Sequence, residues 1–191
     1  MRHVAWIVIA CMAAGCATTR YTPTVRYRLD SAIDVPVSSP IEGSLGIRTL
    51  TAARPYKQTI VFQDADFVVR MSDHEEWADL PAVMVTRMLM DALGATKHFK
   101  DVGDAVNLAI PDYILTGELR RFDLVRAGAA WSAVCEVRLE LRKGMKRELV
   151  WSDTLRSEEP LAKNEVSALP AAMSRAVDKV ITRSATATAQ Q

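Results

Sequence analysis

The densest cluster of titratable side chains is Asp73-His74-Glu75-Glu76. Carboxylates beside an imidazole are the residue types of acid–base catalysis and of divalent-metal binding. Their spacing supports neither. A zinc-protease helix needs His-Glu-x-x-His, and no second histidine follows His74 at that interval. Four polar residues between a strand and a helix read instead as a solvated, capping turn. His98, in Thr96-Lys97-His98-Phe99, reads as a loop residue. Cys135 falls on the apolar side of an alternating segment, where a thiol is a small hydrophobe rather than a nucleophile. The sequence has no G-x-S-x-G, no P-loop and no G-x-G-x-x-G. Met84, Met88 and Met90 allow two readings, helix core or the lining of a groove for an apolar ligand. These residues assign no catalytic group, no cofactor site and no metal site, and the chain is expected not to be an enzyme.

One cysteine does stand in a chemical context. Met1-Arg2-His3 is a short basic start, and residues 4–17 are uncharged. Fourteen residues are too few to span a bilayer, which takes about 20. A basic start, a short apolar centre and small residues at its end describe a secretory signal. It closes on Ala13-Ala14-Gly15-Cys16. This resembles the lipobox of bacterial lipoproteins, in which the cysteine is acylated and becomes the first mature residue, with cleavage between Gly15 and Cys16. The lipobox usually has Leu where this chain has Ala13. Val8-Ile9-Ala10-Cys11 fits the pattern too, with a shorter apolar run before it. An ordinary signal peptide with incidental cysteines and a buried N-terminal helix are the other readings. The residue after Cys16 is Ala17 rather than Asp, which by resemblance to enteric sorting rules implies the outer membrane.

Removing the signal removes Arg2 and leaves 23 of the 24 basic residues against 23 acidic ones. No field of one sign is available to attract nucleic acid. With Cys16 acylated and Cys11 removed, Cys135 has no partner for an internal disulfide.

Several elements follow from periodicity. Residues 17–43 are rich in Thr, Ser and Pro and read as an extended tether, within which residues 25–29 are a candidate edge strand. For a flexible chain of 27 residues the typical reach is roughly 30 Å. Strands are expected at 45–49, 58–63 and 66–71, the last two as a hairpin. Trp77, Leu80, Met84, Met88 and Ala92 recur at helical spacing, with Asp79 as cap, Pro81 in the first turn and Gly94 at the end. Tyr113, Leu115, Gly117 and Leu119 share a strand face, and the shift to Phe122 and Leu124 marks a bulge. Residues 131–142 alternate clearly, with Trp131, Ala133, Cys135, Val137, Leu139 and Leu141 facing the core, and Val134 breaking the polar side. Leu169, Met173, Ala176, Val177, Val180 and Ile181 form the stripe of a last helix, with Ser167 as cap and Pro170 in its first turn. The expected fold is α+β, an antiparallel sheet with two helices packed on one face. The chain divides into a signal (1–15), an anchor and tether (16–43), the α+β domain (44–183) and a frayed polar tail (184–191).

In order along the chain, Tyr27-Arg28-Leu29, Ile60-Val61-Phe62, Trp77-Ala78-Asp79-Leu80-Pro81, Tyr113-Ile114-Leu115 with Arg121-Phe122, Leu149-Val150-Trp151-Ser152 and Ala171-Ala172-Met173-Ser174-Arg175-Ala176-Val177 resemble the auxiliary lipoprotein component of ABC-type transport systems. That family includes the lipoproteins accompanying MCE-domain lipid transporters. Asp73-His74-Glu75-Glu76 departs from it, because an aromatic residue commonly precedes the tryptophan. The resemblance implies a periplasm-facing, lipid-anchored, non-enzymatic partner of an MCE-domain protein and its ABC permease and ATPase. It also implies apolar cargo moved between membranes, and self-association. Trp77, Met84 and Met88 are the candidate partner or apolar contacts. The alternative is an envelope-assembly or enzyme-activating lipoprotein that binds a protein partner without handling lipid. A hydrolase is the third and weakest reading.

Overall fold

The computed structural model describes residues 22–64 and 66–191, so Gly15 and Cys16 lie outside the described residues. Within them the chain forms strands β1 (Val25–Tyr27), β2 (Ile41–Ile47), β3 (Thr51–Ala52), β4 (Thr59–Asp64) and β5 (Val69–Trp77), helix α1 (Pro81–Ala95), strands β6 (Phe99–Asp104), β7 (Tyr113–Ala127), β8 (Ala130–Lys143) and β9 (Glu148–Pro160), and helix α2 (Leu169–Thr188).

β7 organises the sheet. One edge pairs antiparallel with β8 along its whole length, and β8 pairs in turn with β9. The other edge is shared by three parallel strands in succession. β2 lies opposite residues 113–115, β3 opposite 118–119 and β4 opposite 123–126. β2 carries β6 on its far side, while β4 carries β5 and then β1. The α+β class holds, but the sheet is mixed rather than purely antiparallel. The connection from β4 through β5, α1 and β6 is long enough to return the chain to the start of β7, and so aligns β2, β3 and β4 with it.

Both helices cover one face. α2 lies on β8 and β9, and α1 lies on β7, β3 and β6. Leu45, Ile47, Leu115, Leu119, Phe122, Leu124, Cys135, Val137 and Leu139 supply the sheet side of the core, and Val85, Leu89, Met173, Val177 and Val180 the helix side. The register shift expected after Leu119 is present, and it brings Phe122 back to the helix face.

Several expectations change. Residues 30–43 are not tether: the Asp30 N–H donates to Ser174 Oγ on α2, Val35 is buried, and β2 begins at Ile41. The candidate edge strand at 25–29 forms as β1, which pairs with β5. Trp77 ends a strand, and α1 starts at Pro81 with Leu80 at its N-cap. Asp79 accepts from the Leu80 N–H and pairs with Arg87 rather than capping. Ser167 sits in a 3-10 turn and donates to Glu165. The tail is helical to Thr188, with Ser184, Ala185 and Thr188 buried. His98 is buried, its Nδ1–H donating to the Ser39 carbonyl at 2.6 Å.

Candidate interaction site

Asp73-His74-Glu75-Glu76 lies inside β5 and is not a turn. Successive strand side chains point to opposite faces, so the four cannot converge on one ligand. Glu76 pairs with Arg26 at 3.3 Å, and Glu75 accepts from Ser72 Oγ. Among the described residues no three His, Cys, Asp or Glu side chains gather to hold a metal ion. Cys135 is fully buried, and burial pushes its thiol well above the ordinary range.

Trp77 and Met84 are in the core, Trp77 edge-on to Phe122 at 5.0 Å, so neither presents a surface to a partner. Met88 is partly buried and borders a recess of about 320 Å³ with Ser31, Ile33 and Asp91.

The face of the sheet away from the helices carries a polar network that periodicity did not reveal. Asp123 is 1% exposed. Arg121 Nη2 lies 2.6 Å from Asp123 Oδ2 and also donates to Gln63 Oε1. The Tyr56 hydroxyl donates to Asp123 Oδ1 at 3.0 Å. Burial and then the Asp123 charge push the Tyr56 hydroxyl from 10.0 up to about 12. Both carboxylate oxygens are engaged, so the network fastens residues 53–58 to the sheet and offers no free base.

A surface suited to binding forms at the end of the sheet where β7 begins. Gly46 brings β2 against the loop at 105–112, since a Cβ there would lie 2.9 Å from Pro111 Cγ and 3.0 Å from Ala105. Asp112 accepts from both the N–H and the hydroxyl of Ser44 at 2.9 Å, and these bonds hold its carboxyl below the usual range. The Asp112 carbonyl accepts from the Gly144 N–H at 2.8 Å and so ties the loop to the β8–β9 turn. Asp104 accepts from the Val106 N–H at 2.9 Å. Between loop and turn is a recess of about 300 Å³, lined by Arg48, Leu108, Ile110, Pro111, Met145 and Arg147. Ile110 and Met145, which line it, are 77% and 91% exposed, and Val106, 88% exposed, lines a second recess that shares Arg48 and Ala105. Arg48, Lys143, Lys146 and Arg147 lie at this end of the sheet together with Asp104, Asp112 and Glu148, so its border is polar and of mixed charge. Exposed apolar tips with a polar border describe an interaction surface.

The family model described as ABC-type transport auxiliary lipoprotein component matches residues 27–185. A crystal structure of a Xanthomonas campestris protein of family DUF330 superposes with a TM-score of 0.80 at 20% identity, covering 87% of this chain and 95% of that one. An uncharacterised protein of known structure superposes at 0.64 with 12% identity, covering 88% and 98%. A hypothetical protein from Chlamydia trachomatis superposes at 0.50 with 8% identity, covering 76% and 96%. At these identities the structures share the fold. No curated protein matches the sequence.

Proposed function

The chain belongs to the ABC-type transport auxiliary lipoprotein component family, and on that premise we propose that it is anchored by acylated Cys16, faces the periplasm, and docks with the MCE-domain component of an ABC transporter. The cargo of such a system is phospholipid or another apolar molecule moving between the membranes. The protein acts by binding and not by catalysis, and Ala17 after the acylated cysteine favours the outer membrane. Among the described residues no helix is long and apolar enough to cross a membrane.

The observation that supports docking is the exposure of Ile110 and Met145 in the Arg48 recess. β7 spans 15 residues, about 46 Å at 3.3 Å per residue, and this recess is at its start. The N-terminal end of β1 faces its other end, since β1 is parallel to β5 and antiparallel to the direction of β4 and β7. An anchored domain therefore presents the recess away from its membrane. Purification of the full-length lipidated protein from envelopes tests this. The wild type should co-purify with the MCE-domain component, and Ile110→Asp with Met145→Asp should lose it while remaining folded and membrane-bound. Retention of a cell-wall synthase in place of the MCE component would favour the envelope-assembly alternative.

A further inference from the structure

The end of the sheet that the N-terminal end of β1 faces has its own apolar surface. Val25 lies opposite Glu75 and Tyr27 opposite Trp77, so the N-terminal end of β1 faces the Val69 end of β5. There the chain turns between β4 and β5. Phe67 in that turn is 87% exposed, and Val68, Val69 and Met71 beside it are exposed as well. Phe67, Val69 and Met71 are the alternating apolar positions of the strand expected at 66–71, and all three face water. The adjoining turn, brought alongside by pairing of Asp64 with Arg126, is Ala127-Gly128-Ala129-Ala130, exposed and uncharged.

The charges around this tip largely cancel. Asp64 pairs with Arg70 at 2.9 Å and with Arg126 at 2.8 Å, and those bonds hold its carboxyl below the usual range. Asp66 is the remaining charge in the turn. Phe67 has φ +61°, a left-handed conformation that a bulky side chain adopts at a cost.

Chain length allows this end to reach the membrane. Val25 follows Cys16 by nine residue steps, about 30 Å when fully extended. From the level of Val25 to Val69 is six residues of strand, about 20 Å. The longer of these two distances is the tether's, so a lipid at Cys16 can reach the level of the Phe67 turn.

We propose that Phe67, with Val68 and Val69, is a second membrane contact that enters the interfacial layer of the bilayer holding the Cys16 acyl chains. It fixes the domain upright, with the Arg48 recess pointing away. Because the local charges cancel, the contact rests on apolar burial and is insensitive to salt and to anionic lipid. The inference depends on acylation of Cys16.

The test uses full-length lipidated protein carrying Phe67→Cys or Met145→Cys, each labelled with an environment-sensitive fluorophore. Each is reconstituted into phosphatidylethanolamine–phosphatidylglycerol vesicles with or without spin-labelled lipid. The probe at position 67 should shift to the blue and lose emission to the spin label, equally at low and high salt, while the probe at 145 should do neither. A water-like, unquenched probe at 67 on protein that floats with the vesicles overturns the tip contact and leaves the anchor intact. A blue shift without quenching means that a second copy or another protein covers the tip, and overturns the proposal too. Protein that does not float and whose mass lacks acyl chains overturns the Cys16 reading, and this inference with it.

Discussion

The Tyr56 hydroxyl donates to Asp123 Oδ1 at 3.0 Å on the sheet face that no helix covers. Asp123 is buried and its charge disfavours a second negative charge beside it, so the folded state keeps Tyr56 protonated up to about 12, above its ordinary 10.0. A group whose folded value is raised contributes stability that is complete below its unfolded value and is lost as pH climbs through the folded one. Stability should therefore fall between pH 10.0 and about 12. At 1.36 kcal/mol per tenfold the full effect is about 2.7 kcal/mol, and solvent screening at this half-buried group reduces it to roughly 1 kcal/mol. Urea unfolding across that window should show a steeper decline for the wild type than for Tyr56→Phe. Parallel curves would remove the Tyr56–Asp123 coupling from the account.

Arg121 is the cation that offsets the buried Asp123 charge, at 2.6 Å. Truncating one partner of a buried pair leaves the other charge uncompensated and typically costs about 3–5 kcal/mol. Arg121→Ala should lose about 3 kcal/mol in urea unfolding, because Arg121 itself is partly exposed. The double variant Arg121→Ala with Asp123→Ala should recover part of that loss. A single-variant effect under about 1 kcal/mol would mean that the pair behaves as a surface salt bridge.

Cys135 is fully buried, with its thiol held protonated by desolvation and then by the Asp123 charge. A thiolate is the reactive form. Thiol reagents should leave the native protein unmodified at Cys135 and label it on unfolding. Rapid native-state labelling would place β8 one residue out of register, because such a slip turns every side chain to the opposite face.

Cys16 should carry the lipid. Each buried CH₂ contributes about 0.8 kcal/mol, and more than one chain makes anchoring stable. Cys16→Ala should accumulate as unprocessed precursor, whereas Cys11→Ala should mature normally. Intact mass measurement with lipid on Cys11, or on neither cysteine, would contradict the assignment.

Legibility tracked the physics of periodicity. The strand at 131–142 was readable because one face meets the helices and the other meets water, and Ala133, Cys135, Val137, Leu139 and Leu141 are all buried as the alternation implied. Val134, which broke the polar side, is buried beside Asp123 and Glu158 on the opposite face. The break thus pointed at the one place where that face is covered. Residues 30–43 read as tether because Pro, Ser and Thr describe irregular chain, and irregular chain packs when a neighbour supplies contacts. Here Ser174 and Asp178 of α2 bond to Asp30, Ser31 and Ala32. Phe67, Val69 and Met71 show the converse, an alternation whose apolar side has no layer over it. The recess at Arg48 was invisible because its lining comes from β2, the 105–112 loop and the 144–147 turn, which only the parallel pairing of β2 with β7 brings together.

Site-specific photocrosslinking in intact cells tests the docking proposal most directly. A photoreactive amino acid is placed at Met145, beside the recess, or at Phe67, at the opposite end of the sheet. The account predicts that the probe at 145 crosslinks to the MCE-domain component and that the probe at 67 crosslinks to lipid instead. Crosslinking of the MCE component from 67 and not from 145 would contradict it.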